Sequence, residues 1–385
     1  MATLIDPRAV LDRHIAELAA RTDNPVATAV TLPGTAYADH EQYQRELGAI
    51  FRGDWVAVGL DSDVAAPGSY LATLAGDAPV LVTRDEAGEL RAFLNVCRHR
   101  GAPVAEGCGH ARALRCPYHS WLFRLDGSLA RAPGVGRPEG FDPDDLGLEP
   151  IQVTTFARSV FVNLDTRATA FDPGPLAAGL APFDLGALEF DRRDRYETKF
   201  NWKVLLENYS ENYHTPTVHT QLPVAGYEYP TECDGRLVFA WDRPLEPSDA
   251  SEVALSQFAP RDEGWSGVGA VIAEASFTNG AYVTCWPNMM ISMFVGFAAT
   301  FRLTPTGPNS TIVERDYLWA PWVDASRRDQ DHRATREVVL QDLEICEALQ
   351  RTYDAGLSAN GVLSTEHEAA IAFLHHRWAT SLIDR

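Results

Sequence analysis

Cys97, His99, Cys116 and His119 have the types and spacing to hold metal: in NVCRHRGAPVAEGCGHARALRCPYHSW, a Cys-x-His is followed after sixteen residues by a Cys-x-x-His. Two thiolates and two imidazoles can close a tetrahedral zinc site, or can hold a two-iron two-sulfur cluster with both Cys on one iron and both His on the other. Ligand order separates the two. Each half here supplies one Cys and one His, which suits two loops that each give one ligand to each iron; the common zinc finger separates a Cys pair from a His pair. Cys108-Gly109-His110 repeats the Cys-x-His spacing, but it lies close before Cys116, so Cys108 reads as a loop or packing cysteine.

A second set lies in ENYSENYHTPTVH, where His214 and His219 flank Pro216. The run NWKVLLENYSENYH predicts a helix over 201–214 that ends near Thr215, because proline disfavours helical geometry in the residue before it. His214 then closes the helix and His219 belongs to the following segment. Two imidazoles plus a carboxylate, with open positions left over, make the facial triad of non-haem Fe(II) oxygenases. In VVLQDLEICEAL, Asp342 shares a helical face with Val338, Val339, Ile345, Cys346 and Leu349. A carboxylate on such a stripe is costly unless paired or bound to metal. Glu344 and Glu347 have polar neighbours such as Gln350 and Arg351 and read as solvated. The alternative for Asp342 is a buried ion pair with an arginine.

These ligands need elements to carry them. Residues 1–50 predict a helix after Asp6-Pro7 and a second amphipathic stretch over Asp39 to Phe51. From Trp55 to Asp165 the pattern becomes that of strands: PVLVT (Pro79 to Thr83), a DEAG turn and LRAFLNV (Leu90 to Val96) predict a hairpin, and SVFVNL (Ser159 to Leu164) another strand. Residues 131–150 hold four Pro and four Gly, so they form a connection, and FDPGPLAAGLAPFDLG (Phe171 to Gly186) marks a boundary. Further strands are expected at Arg236 to Ala240, Ala281 to Cys285, Met290 to Leu303 and Thr311 to Leu318, with helices over 325–353 and 365–378. The expected division is 1–50 as helices packing on the last domain, 51–165 as the cluster domain and 166–385 as the iron domain.

With 385 residues and 45% hydrophobic content, the chain has cores enough for two or three domains. Lys and Arg number 33 against 53 Asp and Glu, a net charge of −20 that excludes a phosphate-tracking, nucleic-acid-binding surface. No run of about 20 apolar residues exists and the N-terminus lacks a basic-then-apolar leader, so a soluble, cytoplasmic protein with no membrane partner is expected. Six cysteines are too few for a disulfide scaffold and are expected to be reduced.

CRHRGA followed by CPYHSWLFRLDGSL resembles the cluster-binding domain of Rieske-type aromatic-ring-hydroxylating and related oxygenases, and NWKVLLENYSENYH resembles the mononuclear-iron helix of their alpha (catalytic) subunits. The resemblance implies an α+β protein: an all-β Rieske domain plus a helix-grip-like antiparallel-sheet catalytic domain with flanking helices. It implies a 2Fe-2S cluster on Cys97, His99, Cys116 and His119, and Fe(II) on His214, His219 and Asp342, since the family carries its carboxylate ligand on a late helix of this kind. It further implies O2 as cosubstrate, NAD(P)H used indirectly through a separate flavin/iron-sulfur reductase, and a homotrimer. In the family an acid at the place of Glu211 bridges a Rieske histidine of the neighbouring subunit to an iron histidine. Glu211 is thus expected to link His119 of one chain to His214 of the next, and its spacing of three residues from His214 puts both on one side of the predicted helix.

Ring-dihydroxylating members mostly carry Asp at that place. Glu in an E-x-Y-H context resembles instead the branch acting on quaternary ammonium compounds such as choline, glycine betaine, carnitine and proline betaine. The implied function is O2-dependent hydroxylation of a small organic substrate; on an N-methyl group this gives a carbinolamine that loses formaldehyde. Ring hydroxylation is one alternative, and a non-catalytic Rieske electron carrier another, though a carrier has no need of the second metal set. A cationic substrate calls for aromatic faces, for which Tyr213, Phe277, Trp286, Phe294 and Phe297 are candidates, although each reads first as ordinary core. GVGAVI (Gly267 to Ile272) is an incomplete glycine pattern, so the NAD(P)H-oxidising flavoprotein is expected to be another polypeptide.

Overall fold

Asp6 caps the first helix by accepting the backbone N–H of Arg8, and Pro7 opens it, so α1 (Pro7–Ala19) starts where the sequence says it should. The computed structural model describes residues 6–21, 29–136, 138–140, 142–220, 227–228, 231–241, 243–244, 280–294, 296–356 and 361–383. They divide into two compact units, Leu47–Phe171 and the remainder of the chain on either side of it. The first break falls inside the amphipathic stretch 39–51, where an α-helix gives way to a π-helical turn at Leu47–Phe51. The second falls after Phe171, whose ring packs on Trp55, Phe156 and Phe161 and so belongs with the strands before it. Among the described residues no helix is long and apolar enough to cross a membrane.

The Leu47–Phe171 unit is built on a seven-stranded antiparallel sheet, in the order Val56–Leu60, Ser159–Asn163, Pro150–Phe156, Leu90–Leu94, Ala78–Arg84, Ser69–Ala75 and Cys108–His110. The predicted hairpin pairs Val82 with Ala92. Its turn is held by Asp85, which accepts the N–H groups of Ala87 and Glu89 and pairs with Arg91 at 2.6 Å. A second, three-stranded sheet (Ala113–Arg115, Leu122–Arg124, Leu129–Arg131) frames the second Cys/His loop.

The other unit has a seven-stranded antiparallel sheet in the order Glu189–Thr198, Ser310–Trp319, Phe297–Gly307, Met289–Phe294, Ala281–Cys285, Leu237–Trp241 and Thr231–Asp234. The predicted run Met290 to Leu303 is two strands with a turn at Gly296, whose φ of 71° is a left-handed conformation that favours glycine. Residues directly opposite in register share a face, which places Asp194, Arg315, Phe301, Met290 and Thr284 together on one side. Helices cover that side. The helix α2 is Thr35–Ala38, α3 His40–Glu46, α4 Trp202–Tyr209, α5 Thr215–Val218, α6 Ala325–Asp354 and α7 Ala369–Ile383. From α4 and the residue after it, Tyr209 and Ser210 bond to Ser292 and Thr284, both at 2.8 Å.

Two buried polar knots set these helices. The Glu46 carboxylate, fully buried, accepts from Trp202 Nε1 (2.8 Å), Trp378 Nε1 (2.8 Å) and Lys203 Nζ (2.7 Å), tying α3, α4 and α7 together. Gln350 of α6 accepts the backbone N–H of Asn201, the N-cap of α4, and donates to the carbonyl of Tyr37 in α2. The start of α4 is thereby fastened to α6. In α1, Leu11, His14, Ile15 and Leu18 are buried, and the helix packs along α7.

Candidate metal centres

The two Cys/His loops of the first unit repeat one backbone design. In each, the N–H four residues after the Cys bonds back to the Cys carbonyl: Gly101 to Cys97 at 2.9 Å and Ser120 to Cys116 at 3.0 Å. In each, the Cys N–H donates to the carbonyl five residues on, Ala102 and Trp121, both at 2.8 Å. The return requires a left-handed residue, supplied by Gly101 (φ 79°) and by Ser120 (φ 61°), the latter at a local cost of about 1–3 kcal/mol. Both thiols are buried, whereas His99 is exposed and His119 half-buried, so the sulfurs lie inside and the imidazoles at the rim. The two rings sit edge to face with centroids 4.6 Å apart, and His99 stacks on Trp121.

This cradle suits a cluster. Burial pushes the Cys97 thiol up and the adjoining Cys116 thiol adds to the effect, while the backbone N–H groups of His99 and Arg100, aimed at the sulfur, oppose it. His119 Nδ1 is a buried ring nitrogen with no hydrogen-bond partner, the state of an atom left for a metal. Desolvation, then His99 and Arg100, lower the His119 pKa and leave the ring neutral, as a ligand must be. Cys108 lies outside the cradle, exposed in the edge strand Cys108–His110, and is therefore not a packing cysteine.

In the other unit His214, His219 and Asp342 converge, one ligand atom of each lying within 4.8 Å of the others. Asp342 Oδ1 is 2.9 Å from His219 Nε2 and 3.4 Å from His214 Nε2. The remaining ring nitrogens are held from behind: His214 Nδ1 by Glu211 Oε1 at 2.5 Å, and His219 Nδ1 by Gln341 Oε1 at 2.8 Å. Both Nε2 atoms are thus presented to one carboxylate. Burial would lower the His214 pKa, but hydrogen bonds to Asp342 and Glu211 outweigh it and raise it to about 9. His219 is raised by Asp342 in the same way, and the two imidazoles hold Asp342 low against its own burial. The site is a concentrated negative field that in the metal-free protein attracts protons and that a cation would occupy.

The local chain path differs from the predicted helix over 201–214. The helix α4 stops at Tyr209, where Ser210 Oγ bonds back to the carbonyl of Leu206, and His214 instead caps the short helix α5, whose second residue is Pro216. Glu211 meets His214 because its carboxylate also accepts the backbone N–H groups of Tyr213 and His214, a turn contact and not a shared helical face. Asp342 borders a buried stripe made of Val339, Leu343, Cys346 and Gln350; Ile345 and Leu349, expected in the core, are 37% and 41% exposed. Glu347, expected to be solvated, accepts the N–H of Lys199. Of the aromatic candidates, Trp286 and Phe297 are core, packed on Trp202 and Trp319; Tyr213 is 59% exposed and stacks on His367; Phe294 is half-buried against Tyr282. Phe277 and the Gly267 to Ile272 segment lie outside the described residues. Gln341 escaped the sequence reading, although its place beside Asp342 was a signal in plain view. Glu207 did too: it accepts the Tyr37 hydroxyl at 2.9 Å and lies 3.2 Å from His375 Nε2.

Comparison with known proteins places each unit in a described domain family. The Rieske [2Fe-2S] domain matches residues 54–156, and the ring hydroxylating alpha subunit (catalytic domain) matches residues 185–383. The chloroplastic choline monooxygenase of Beta vulgaris is 29% identical over 361 residues, covering 91% of this chain and 77% of that protein. The crystal structure of the quaternary ammonium Rieske monooxygenase CntA in complex with L-carnitine superposes with a TM-score of 0.78 at 26% identity, over 93% of this chain and 97% of that one. Naphthalene 1,2-dioxygenase from Rhodococcus sp. shares the fold, with a TM-score of 0.77 at 20% identity and 98% of each chain covered. An all-β Rieske unit joined to an antiparallel-sheet unit with helices, carrying these matches along its length, belongs to the Rieske-type non-haem iron oxygenases and is an alpha, catalytic subunit.

Proposed function

We propose that this oxygenase hydroxylates an N-methyl carbon of a small quaternary ammonium substrate. In that reaction a C–H bond of the methyl group breaks and a C–O bond forms. One oxygen atom of O2 enters the product and the other leaves as water, with two electrons from a separate NAD(P)H-oxidising reductase and two protons. The carbinol then loses formaldehyde and leaves a tertiary amine. The cluster and the iron, when bound, supply electron delivery and O2 activation.

The chain's own residues would divide the work as follows. Cys97, His99, Cys116 and His119 hold the cluster, and His214, His219 and Asp342 hold iron with positions left open. Glu211 and Gln341 fix the tautomers and aim of the two imidazoles, each accepting the Nδ1–H so that Nε2 faces the metal. Glu211 also links the two centres between neighbouring chains of a homotrimer, from His119 of one to His214 of the next. The observation that carries the substrate assignment is the acid itself: it is a glutamate, in an E-x-Y-H turn, in a chain similar along most of its length to proteins named for choline and quaternary ammonium oxidation.

The test is turnover. With reductase and NADH, a panel of N-trimethyl compounds should drive O2 uptake and release formaldehyde in equal amounts. Uptake with arenes alone would reject the assignment.

A further inference from the structure

The helix-covered face of the second sheet carries a buried arginine that makes no ion pair among the described residues. Arg315 is 5% exposed, and among the described residues no carboxylate lies within ion-pair distance of it. Asp194, directly opposite in register, is already occupied: its Oδ2 accepts from Tyr196, Tyr317 and His332. The guanidinium rests against the rings of Phe301 and Tyr317, at 4.9 and 4.8 Å, and is anchored at one point, Nη1 to the carbonyl of Thr335 at 3.1 Å. Nε is buried without a partner, and no described group accepts from Nη2. The edge of the fork that presents two parallel N–H groups is therefore vacant, and this is the geometry that grips a carboxylate with two hydrogen bonds. A buried guanidinium left so is costly unless an anion arrives.

The position relates this edge to the metal ligands. Thr335 and Asp342 lie seven residues apart on α6, two turns and about 10.5 Å along one helix face. Tyr209, which ends the helix just before Glu211, stacks edge-on against Phe301, the same ring that supports Arg315. We propose that Arg315 binds a carboxylate of the substrate. The substrate is then a zwitterion, a quaternary ammonium acid with its reacting N-methyl group toward His214, His219 and Asp342 and its acid on Arg315. This rests on the quaternary ammonium reading above and narrows it, excluding uncharged-tail alcohols such as choline as the preferred ligand.

Four probes of equal length separate head from tail: γ-butyrobetaine, (4-hydroxybutyl)trimethylammonium, 5,5-dimethylhexanoate and 5,5-dimethylhexan-1-ol, titrated calorimetrically into the holoprotein. With either head, the acid should bind about 100-fold more tightly than its alcohol, and Arg315→Gln should abolish that ratio while leaving alcohol binding unchanged. Arg315→Lys, which keeps the charge but not the fork, should restore only part of it. Equal binding of acid and alcohol to the wild type overturns the proposal without any variant. So does an Arg315→Gln protein that weakens acids and alcohols alike, the mark of a merely structural role. If the head makes no difference but the tail does, the quaternary ammonium reading fails and the Arg315 site stands.

Discussion

Gln341 Oε1 lies 2.8 Å from Nδ1 of His219, while the other ring nitrogen of that histidine is 2.9 Å from Asp342 Oδ1. Adjacent residues of one helix thus hold opposite sides of one imidazole. Removing the outer contact frees the ring to rotate and lowers its basicity as a ligand. Gln341→Leu should weaken iron binding at this centre about 10–100-fold and leave the cluster chromophore intact, read by iron titration alongside visible absorption. Unchanged iron affinity would remove Gln341 from the site.

Asp342→Ala should cost the mononuclear iron alone. Elemental analysis is expected to fall from about three irons per chain to about two, with the Rieske-type EPR signal retained and turnover lost. A variant that keeps three irons would move the carboxylate ligand elsewhere.

Glu211→Gln keeps an oxygen acceptor for His214 Nδ1 and removes the negative charge. Both metals should therefore stay, while turnover falls at least 100-fold if this carboxylate also carries the link between subunits. Steady-state activity close to wild type would break that electron route, and a fully active monomer would break the trimer.

The metal-free protein should show a pH dependence of known sign. The His214 pKa is raised to about 9 in the folded state. A raised histidine contributes stability that is complete below its unfolded value near 6.5 and disappears as pH climbs through about 9. Urea midpoints of chelator-stripped protein should then be higher at about pH 6.5 than at about pH 9.5, and His214→Gln should flatten the difference. Iron affinity should move the opposite way, tightening across the same window as the competing proton leaves. Equal midpoints at both pH values would contradict the field described for this site.

The Glu46–Lys203 pair is buried at both ends, and the ammonium also lies against the rings of Tyr37, Trp202 and Trp378. Glu46→Gln leaves that cation uncompensated and should destabilise the protein by roughly 3–5 kcal/mol. Adding Lys203→Met should recover part of the loss in urea unfolding. Strict additivity of the two changes would mean the pair is not coupled.

Much of this was legible before any coordinates. Cys97, His99, Cys116 and His119 are legible because their ligands sit on two tight loops, each complete within a few residues. The hairpin around Asp85 and the helix boundaries at Asp6 and Asp324 are equally local, set by caps and turns that a short stretch of chain encodes. His214 and His219, five residues apart, stand out in the sequence for the same reason. The helix expected to carry His214 was wrong by five residues, because Ser210 bonding back to Leu206 ends α4 through a side chain that helix pattern does not read.

What tertiary structure decided are the relations between distant segments. Asp342 was placed by an apolar stripe that included Ile345 and Leu349, yet those two face outward. What brings Asp342 to the histidines is the docking of α6 on α4 through Gln350 and Asn201. Glu46 reads as one more acid on a surface helix until Trp202, Lys203 and Trp378 close over it. Arg315 is one arginine among many until sheet register spends Asp194 on other donors and leaves its fork vacant. A sequence encodes local hydrogen bonds directly, whereas the partner of a buried charge depends on which strands and helices pack together, and that is settled only when the chain folds.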